Sequence, residues 1–240
     1  MEILRLRFDA PLMSFGGVMV DQHGIIDRFP GTSLLAGLFG NALGYRHGDS
    51  SLLSSLQQRI EFAARWDVEP EKLVDYHTVD LGQAKMRQLG WTTHGEPEHR
   101  AGGAAALGTH QRYRHYWANG VMTLAVALSE QSHPTTSELA LALRNPARPL
   151  FLGRKTCLPA APLFLDTVQA PDVLAALRSV PRASRWGQDA RGSMEACWPI
   201  WLGPGKEARE VSVYDRRDWR NQVHAGRHLR AEGLIEETSP

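Results

Sequence analysis

The segment "EILRLRF", residues 2–8, alternates apolar and charged side chains along most of its length. If the segment is extended, Leu4, Leu6 and Phe8 fall on one face and charged residues lie between them. This pattern is typical of a β-strand that is buried on one side and meets water on the other. The chain therefore opens with a predicted strand, and the elements that follow it decide the fold.

A helix is predicted next, over "TSLLAGLFGNALG", residues 32–44. Its apolar residues recur at helical spacing, and Thr32 or Ser33 is a natural N-cap. Gly37 and Gly40 lie inside the helix, where a glycine costs about 1 kcal/mol relative to alanine. We interpret these glycines as positions where the helix packs closely on a sheet.

Five further elements complete the order. They are a short helix at 49–58, strands at 59–68 and 120–130, a helix at 133–146 capped by Thr136 or Ser137, and a strand at 148–153. Apart from the short helix, the order is strand, helix, strand, strand, helix, strand. This is the βαββαβ arrangement of the ferredoxin-like (RRM-like) fold, which belongs to the α+β class.

An oversized connection separates the second and third predicted strands. A hairpin loop usually has about 2–5 residues, whereas residues 69–119 intervene here. Between residues 80 and 117 there are five Lys and Arg residues but only three acidic residues, and aromatic residues are interleaved with them. Cations pair with phosphates and rings stack on bases, so this mixture suits single-stranded RNA. We expect residues 80–117 to form a long hairpin thumb, with a solvated excursion as the alternative.

The thumb is expected to project from a first domain, residues 1–156, and residues 157–240 are expected to form a small β-rich C-terminal domain. Two segments in the latter, "EACWPIWLG" and "AREVSVYD", resemble strands joined by a "PGKE" turn. The run "RRDWRNQVHAGRHLRAEG" that follows them is basic, and the sequence predicts no structure for it.

Global charge gives no indication of a nucleic-acid partner. There are 27 Lys and Arg residues against 26 Asp and Glu, so any polyanion site has to come from local charge placement. The two cysteines, Cys157 and Cys197, are far apart and fit a reduced cytoplasm. No signal peptide and no run of about 20 apolar residues is found. We therefore expect a cytoplasmic protein without membrane contact.

Catalytic and cofactor motifs are sparse. No CxxC or HExxH zinc motif occurs, and His224 and His228 alone do not make a metal site. Neither a nucleophile elbow nor a phosphate-binding loop is found. We expect no metal and no cofactor.

Metal-free RNA cleavage is the activity that the residues leave open. It needs a general base, a general acid and a cation, which His, Tyr and Lys can supply near neutral pH. Tyr76 and His77 lie at the foot of the insertion, and His23 and Lys155 are candidates to lie nearby. These residue types are common, so the spacing alone does not establish cleavage.

The turn "LGRKT", residues 152–156, places two cations after the last predicted strand. Gly153 permits a close backbone approach or a positive φ. Arg154 offers a planar fork for phosphate, and Lys155 offers a point charge. We predict that an RNA strand meets this turn, with a solvated loop as the alternative.

Four segments together resemble the Cas-five family of CRISPR-associated RAMP proteins, in its type I-E branch. They are "RLRFDAPLMSFGG", "RFPGTSLLAGLFGNALG", "LVDYHTV" and "FLGRKTCLPAAPLF", and their order and spacing cover about residues 2–165. Gly31 departs from the threonine that the family often carries after the proline. The insertion at 80–117 also differs in sequence, so its contacts are not transferred residue by residue.

The resemblance implies a ferredoxin-like palm with a hairpin thumb and a non-catalytic role in antiviral defence. The implied role is to hold the 5′ handle of the CRISPR RNA in the Cascade complex, beside the backbone subunit CasC and the large subunit CasA. Target DNA is reached only through the complex. The candidate RNA-binding residues are Arg28, Lys85, Arg87, Arg112, Arg114, Gly153, Arg154 and Lys155.

A sister branch, type I-C, uses the same family as the endoribonuclease that cleaves CRISPR repeat RNA. The resemblance therefore supplies an alternative function, a metal-independent endoribonuclease. Tyr76 and His77 are the candidate catalytic residues in that case.

Overall fold

The architecture is taken from a computed structural model of the chain. The structure describes residues 1–17, 22–80, 90–91, 97–98, 109–129, 132–184, 192–203, 205 and 207–236. Lys85 and Arg87, two of the predicted RNA-binding residues, lie outside the described residues.

The structure describes fifteen strands and four α-helices. The strands are β1 (Glu2–Asp9), β2 (Leu12–Met13), β3 (His23–Gly24), β4 (Ile60–Val68), β5 (Glu71–Asp80), β6 (Gly90–Trp91), β7 (Pro97–Glu98), β8 (Thr109–Ala118), β9 (Val121–Leu128), β10 (Phe164–Gln169), β11 (Met194–Pro199), β12 (Arg209–Val213), β13 (Arg217–Asp218), β14 (Val223–His224) and β15 (His228–Ile235). The helices are α1 (Thr32–Leu43), α2 (Ser50–Arg59), α3 (Thr136–Arg144) and α4 (Val173–Arg178).

A ferredoxin-like motif forms the centre of the main sheet. Its four strands lie in the order β10-β1-β9-β4, which is fourth, first, third, second along the motif. Helices α1 and α2 connect β1 to β4, and α3 connects β9 to β10. The predicted βαββαβ order is confirmed.

The fourth strand lies elsewhere than predicted. Residues 148–153 are irregular, and β10 at Phe164–Gln169 pairs antiparallel with β1 instead. The apolar run ends in Leu152, which is fully buried as part of a turn: its N–H donates to the Cys157 carbonyl. A buried turn and a buried strand both require apolar residues, so the apolar run alone does not distinguish them. The predicted domain end at residue 156 therefore falls before the last strand of the motif.

The C-terminal strands extend the same sheet. β11 pairs antiparallel with β4, β15 pairs with β11, and β12 pairs with β15. The seven-stranded order is β10-β1-β9-β4-β11-β15-β12. The segment is rich in strands as expected, and hydrogen bonds join it to the ferredoxin-like motif.

The thumb emerges between β4 and β9, the second and third strands of the motif, as predicted. Its described stem is the antiparallel pair β5–β8, in register from Glu71↔Ala118 to Asp80↔Thr109. Short strands β2 and β3 join the other edge of β8. The stem thus begins about ten residues earlier in the chain than the predicted bound at residue 80.

Two apolar layers cover the sheet. The first contains Leu4, Leu6 and Phe8 of β1 and the buried sides of α1, α2 and α3. The second contains Ile3 of β1 and the buried side of α4. The alternation of β1 is therefore not apolar on one side and wet on the other, because both faces of this central strand are covered.

Gly40 of α1 allows close packing on helix α2, whereas Gly37 lies beside Trp219 of the C-terminal segment. A Cβ on Gly40 would lie 2.6 Å from the Leu53 side chain of α2, and one on Gly37 would lie 3.5 Å from the Trp219 ring. The prediction that they pack on a sheet is wrong.

The N-cap positions differ by one residue from those predicted. Gly31 is the N-cap of α1, and Thr135 is the N-cap of α3, where Thr135 and Glu138 form reciprocal hydrogen bonds. Within the described residues, no helix is long and apolar enough to cross a membrane.

Candidate nucleic-acid interface

Three aromatic rings form a ladder across the thumb. Tyr113 of β8 lies between Tyr76 of β5, with ring centroids 5.1 Å apart, and His23 of β3, with centroids 4.8 Å apart and planes 9° from parallel. Strand pairing produces this arrangement, because Tyr113 is the register partner of both residues. We call Tyr76, Tyr113 and His23 the aromatic ladder.

The ladder faces solvent and lies beside a cation. Tyr76 is 51% exposed, and His23 is also exposed. Lys72 lies four residues before Tyr76 on β5, so it projects from the same face. Its side chain is exposed and makes no ion pair with a described residue.

A neutral histidine completes this face. The His115 ring centroid lies 6.2 Å from that of His23. Burial, followed by the nearby charges of Lys72, His23 and Arg154, lowers the pKa of His115. Neither of its ring nitrogens has a hydrogen-bond partner within the described part of the chain. The His115 ring on this face is therefore uncharged at neutral pH and lies near the Lys72 ammonium.

Gly153 serves the packing of the protein itself. Its φ is +101°, and a Cβ there would lie 1.7 Å from the Ser14 carbonyl oxygen. Ser14 in turn donates its N–H to the Leu152 carbonyl at 3.0 Å. The close backbone approach predicted for this glycine exists, but it brings the turn against the loop after β2.

Arg154 fastens the same turn to the thumb. Its guanidinium donates to the carbonyl of His115 at 2.9 Å and to that of Gly24 at 3.4 Å, and it lies 4.7 Å from the Tyr116 ring centroid. The guanidinium N–H groups of Arg154 are therefore directed at backbone carbonyls of the protein itself. Lys155, in contrast, is exposed and makes no ion pair with a described residue.

Arg28 is also engaged within the protein. Its guanidinium lies between the rings of Trp66 and Trp117, at 5.1 Å and 4.9 Å from their centroids. It also pairs with Glu195 at 2.5 Å and with Glu69. An arginine held by two carboxylates and two rings is a structural cation, so we remove it from the candidate interface.

Arg112 and Arg114 occupy the thumb face opposite the aromatic ladder, because they alternate with Tyr113 along β8. Arg112 is partly buried and donates its Nε–H to His110 at 3.0 Å. Arg114 is exposed and is the register partner of Asp75. Among the predicted RNA-binding residues that the structure describes, Arg28, Arg112, Arg114 and the turn at 153–155 therefore do not converge on one surface.

Tyr76 and His77 do not form a catalytic pair in this geometry. As consecutive residues of β5 they project from opposite faces of the thumb. The Nε2 atom of His77 lies 2.5 Å from the Asp75 carboxylate, on the face away from the ladder. A general acid and a general base have to reach the same reacting group, which this pair does not do from one face.

The two cysteine thiols are unsuited to nucleophilic catalysis at neutral pH. Burial raises the pKa of Cys197 to about 12 and also raises the pKa of Cys157, so both thiols stay protonated at neutral pH. No cluster of His, Cys, Asp or Glu that could hold a metal ion occurs among the described residues. His224 and His228 lie on separate strands, and His228 pairs with Asp215 at 2.8 Å.

The family model described as "CRISPR-associated protein (Cas_Cas5)" matches residues 3–229. This chain belongs to the CRISPR-associated Cas5 family. A curated relative of this family member, "CRISPR system Cascade subunit CasD" of Escherichia coli (strain K12), is 34% identical over 182 residues. The match covers 72% of this chain and 75% of the relative.

Solved structures agree with this assignment. A chain of a "CRISPR RNA-guided surveillance complex" is similar with a TM-score of 0.69 at 25% identity, over 97% of this chain and 89% of that one. A "Crystal structure of Cas protein" is similar with a TM-score of 0.64 at 21% identity, over 98% and 95% of the two chains, and supports the fold. The family membership inferred from four sequence motifs is confirmed.

The sequence reasoning missed Lys72 and did not connect His23, Tyr76 and Tyr113 as one surface. A period-2 count along β5 places Lys72 and Tyr76 on one face, so that part of the signal was present. The pairing of His23 with Tyr113 depends on a parallel contact between segments about 90 residues apart, which no local pattern reveals.

Proposed function

We propose that this chain is a non-catalytic, RNA-binding subunit of a Cascade-type CRISPR effector complex and that it holds the 5′ handle of the CRISPR RNA. Membership of the Cas5 family and the similarity to CasD of Escherichia coli support the assignment. Its proposed neighbours are the backbone subunit CasC and the large subunit CasA, and its proposed location is the cytoplasm.

The observation that carries the proposal is the aromatic ladder with Lys72 beside it. Unpaired bases stack on exposed aromatic rings whatever their identity, and a nearby ammonium pairs with phosphate. Tyr76 presents a ring that is already held against Tyr113, so little side-chain freedom is lost when a base stacks on it. Lys155 is a second exposed cation on the turn that Arg154 fastens to the thumb.

Base stacking is tested by removing the Tyr76 ring. We expect Tyr76→Ala to weaken binding of a 5′-handle RNA by roughly 5- to 150-fold, equivalent to about 1–3 kcal/mol for one stacked base. Tyr76→Phe keeps the ring and should bind like the wild type. Val79→Ala, an exposed change on the opposite face of β5, is the control for general effects on the strand.

Phosphate pairing is tested on the same RNA at several salt concentrations. Lys72→Gln should flatten the plot of log affinity against log salt by about 0.7 for one lost phosphate contact, whereas Tyr76→Ala should leave its slope unchanged. Equal affinity for wild type, Tyr76→Ala and Lys72→Gln would rule out the ladder as the RNA site.

The alternative, a repeat-cleaving endoribonuclease, is tested by incubating the protein with CRISPR repeat RNA in the presence of EDTA. We expect intact RNA, because Tyr76 and His77 project from opposite thumb faces. Site-specific cleavage that disappears in both Tyr76→Phe and His77→Ala would favour the enzyme.

A further inference from the structure

A second basic surface lies at the C-terminal end of the chain, in residues 216–227, which we call the basic hairpin. It contains the paired strands β13 and β14 and carries four arginines against one acidic residue, a net charge of +3 with His224 neutral. Arg216, Arg220 and Arg227 are exposed, and none of them makes an ion pair with a described carboxylate. The acidic residue, Asp218, accepts the backbone N–H groups of Arg220 and Asn221 and so closes the turn.

The hairpin is firmly held on the protein. Trp219 is buried at its centre and donates its indole N–H to Gln57 of α2 at 3.2 Å. The Gln57 side chain also accepts the N–H of Arg217 and donates to its carbonyl, both at 3.1 Å. A charged loop that only increases solubility does not require a buried tryptophan or a pair of reciprocal hydrogen bonds to a side-chain amide. The backbone that carries the exposed arginines is therefore held in place by these contacts.

A cavity of about 270 Å³ opens beside the hairpin, where α2 meets β4 and the end of β11. Arg216, His228 and Trp201 are among its lining residues. The Trp201 side chain is 61% exposed, yet its indole N–H is fixed by a bond of 3.0 Å to the Glu61 carboxylate. The lining thus combines an arginine with an exposed aromatic ring whose indole N–H is held by a hydrogen bond.

We propose that the basic hairpin and the Trp201 cavity form a second binding surface for single-stranded nucleic acid. Phosphates pair with Arg216, Arg220 and Arg227, and one base enters the cavity and stacks on Trp201. An immobilised ring loses little entropy when a base stacks on it, and three exposed arginines supply the salt-dependent part of the affinity. The ligand class rests on the proposed function, whereas the site rests on the contacts above.

The second surface is separate from the thumb. Phe62, near the start of β4, lines the cavity, and the thumb leaves β4 after Val68. Six residues of strand at about 3.3 Å each separate Phe62 from the base of the thumb at Val68 by roughly 20 Å.

The test uses the full chain and fluorescein-labelled single-stranded RNA and DNA of one sequence, long enough to span both surfaces. The triple variant Arg216→Gln, Arg220→Gln, Arg227→Gln should bind more weakly and flatten the salt slope by up to about 2, from about 0.7 for each lost phosphate contact. The matched control, Arg46→Gln, Arg144→Gln, Arg178→Gln, changes net charge equally elsewhere and should keep the wild-type slope. The RNA and DNA arms distinguish which strand the surface takes.

Stacking in the cavity is tested by Trp201→Ala, which should weaken binding roughly 5- to 150-fold without changing the salt slope, while Trp201→Phe retains most of the affinity. Ultraviolet cross-linking followed by mass spectrometry should place a nucleotide on residue 201 in the wild type. Urea unfolding of each variant checks that the fold is retained.

Two results would overturn the proposal. One is equal affinity and slope for the hairpin triple variant and its matched control on both RNA and DNA. The other is binding of an acidic peptide that is lost in the hairpin variant while nucleic-acid binding is unchanged. Tyr76→Ala is measured in parallel: if it has no effect while the hairpin and Trp201 variants bind weakly, the thumb site fails and the second surface stands.

Discussion

The Asp215 carboxylate accepts the backbone N–H of Thr32 at 2.5 Å, so a residue from the C-terminal segment caps the first turn of α1. The Asp215 carbonyl also accepts the N–H of Ser33 at 3.2 Å. Helix α1 has no acidic residue in its first turn and no side-chain cap of its own. A Cβ on Gly31 would lie 2.6 Å from the Asp215 Cβ, so the glycine at this position makes room for the cap.

Removal of this cap should destabilise the whole protein. We expect Asp215→Ala to lower the free energy of unfolding by about 1–3 kcal/mol, because the N–H of Thr32 is left buried without an acceptor and His228 loses its partner. Urea unfolding followed by circular dichroism measures the change. Glu210→Ala, an exposed change on the neighbouring strand β12, is the control. Equal midpoints for the two variants would contradict a capping role.

The same carboxylate should make stability depend on acid pH. Burial acts to raise the pKa of Asp215, but its contacts with His228 and Thr32 outweigh burial and leave the pKa below its usual value. An acid with a lowered pKa stabilises the fold above its unfolded pKa of about 3.9, and this contribution is lost as pH falls through the folded pKa. Asp27 and Arg230 also interact electrostatically with Asp215.

Asp215→Asn isolates the charge, since the amide oxygen can still accept the N–H of Thr32. The gap in unfolding free energy between wild type and this variant should be largest above about pH 4 and should close as pH falls below that value. Urea unfolding at a series of pH values measures it. A gap that stays constant down to strong acid would show that the charge of Asp215 contributes nothing.

Gly153 should tolerate no side chain. Gly153→Ala combines a φ of +101° with a Cβ 1.7 Å from the Ser14 carbonyl oxygen, so we expect a loss of at least about 2 kcal/mol in unfolding free energy. Gly16→Ala is a matched control on the loop it packs against, because a Cβ there meets no atom within 4 Å. Similar thermal midpoints for the two variants would disprove the close approach.

Arg154 and Lys155 should separate stability from binding. Arg154→Ala removes the bonds to the carbonyls of His115 and Gly24, so it should lower stability by about 1–3 kcal/mol and increase hydrogen exchange at β3 and β8. Lys155→Ala should leave stability within about 0.5 kcal/mol and reduce the salt slope of RNA binding by about 0.7. The reverse result, a stable Arg154→Ala with the flatter slope, would restore Arg154 as the phosphate contact.

Local sequence patterns determined the elements and their order. Period-2 spacing locates β1 and β4, and period-3.6 spacing locates α1, because burying one face of a strand or helix requires that spacing. A continuous β-branched and apolar run locates β9, which is buried on both faces. The connection after β4 located the thumb, because its length of about fifty residues far exceeds that of an ordinary hairpin loop. Family membership could also be inferred from the sequence, because four motifs occur in the order and spacing of the family over most of the chain.

Only the tertiary structure decided what the charged residues do. Sequence gives the charge of Arg28 and Arg154 but not their partners, and the partners come from strands and loops many residues away. The aromatic ladder arises the same way, from a parallel contact between β3 and β8. The apolar run before Gly153 predicts a strand but forms a turn, because buried turns and buried strands need the same side chains. Such long-range contacts follow from the packing of the whole chain, so no local window of sequence contains them.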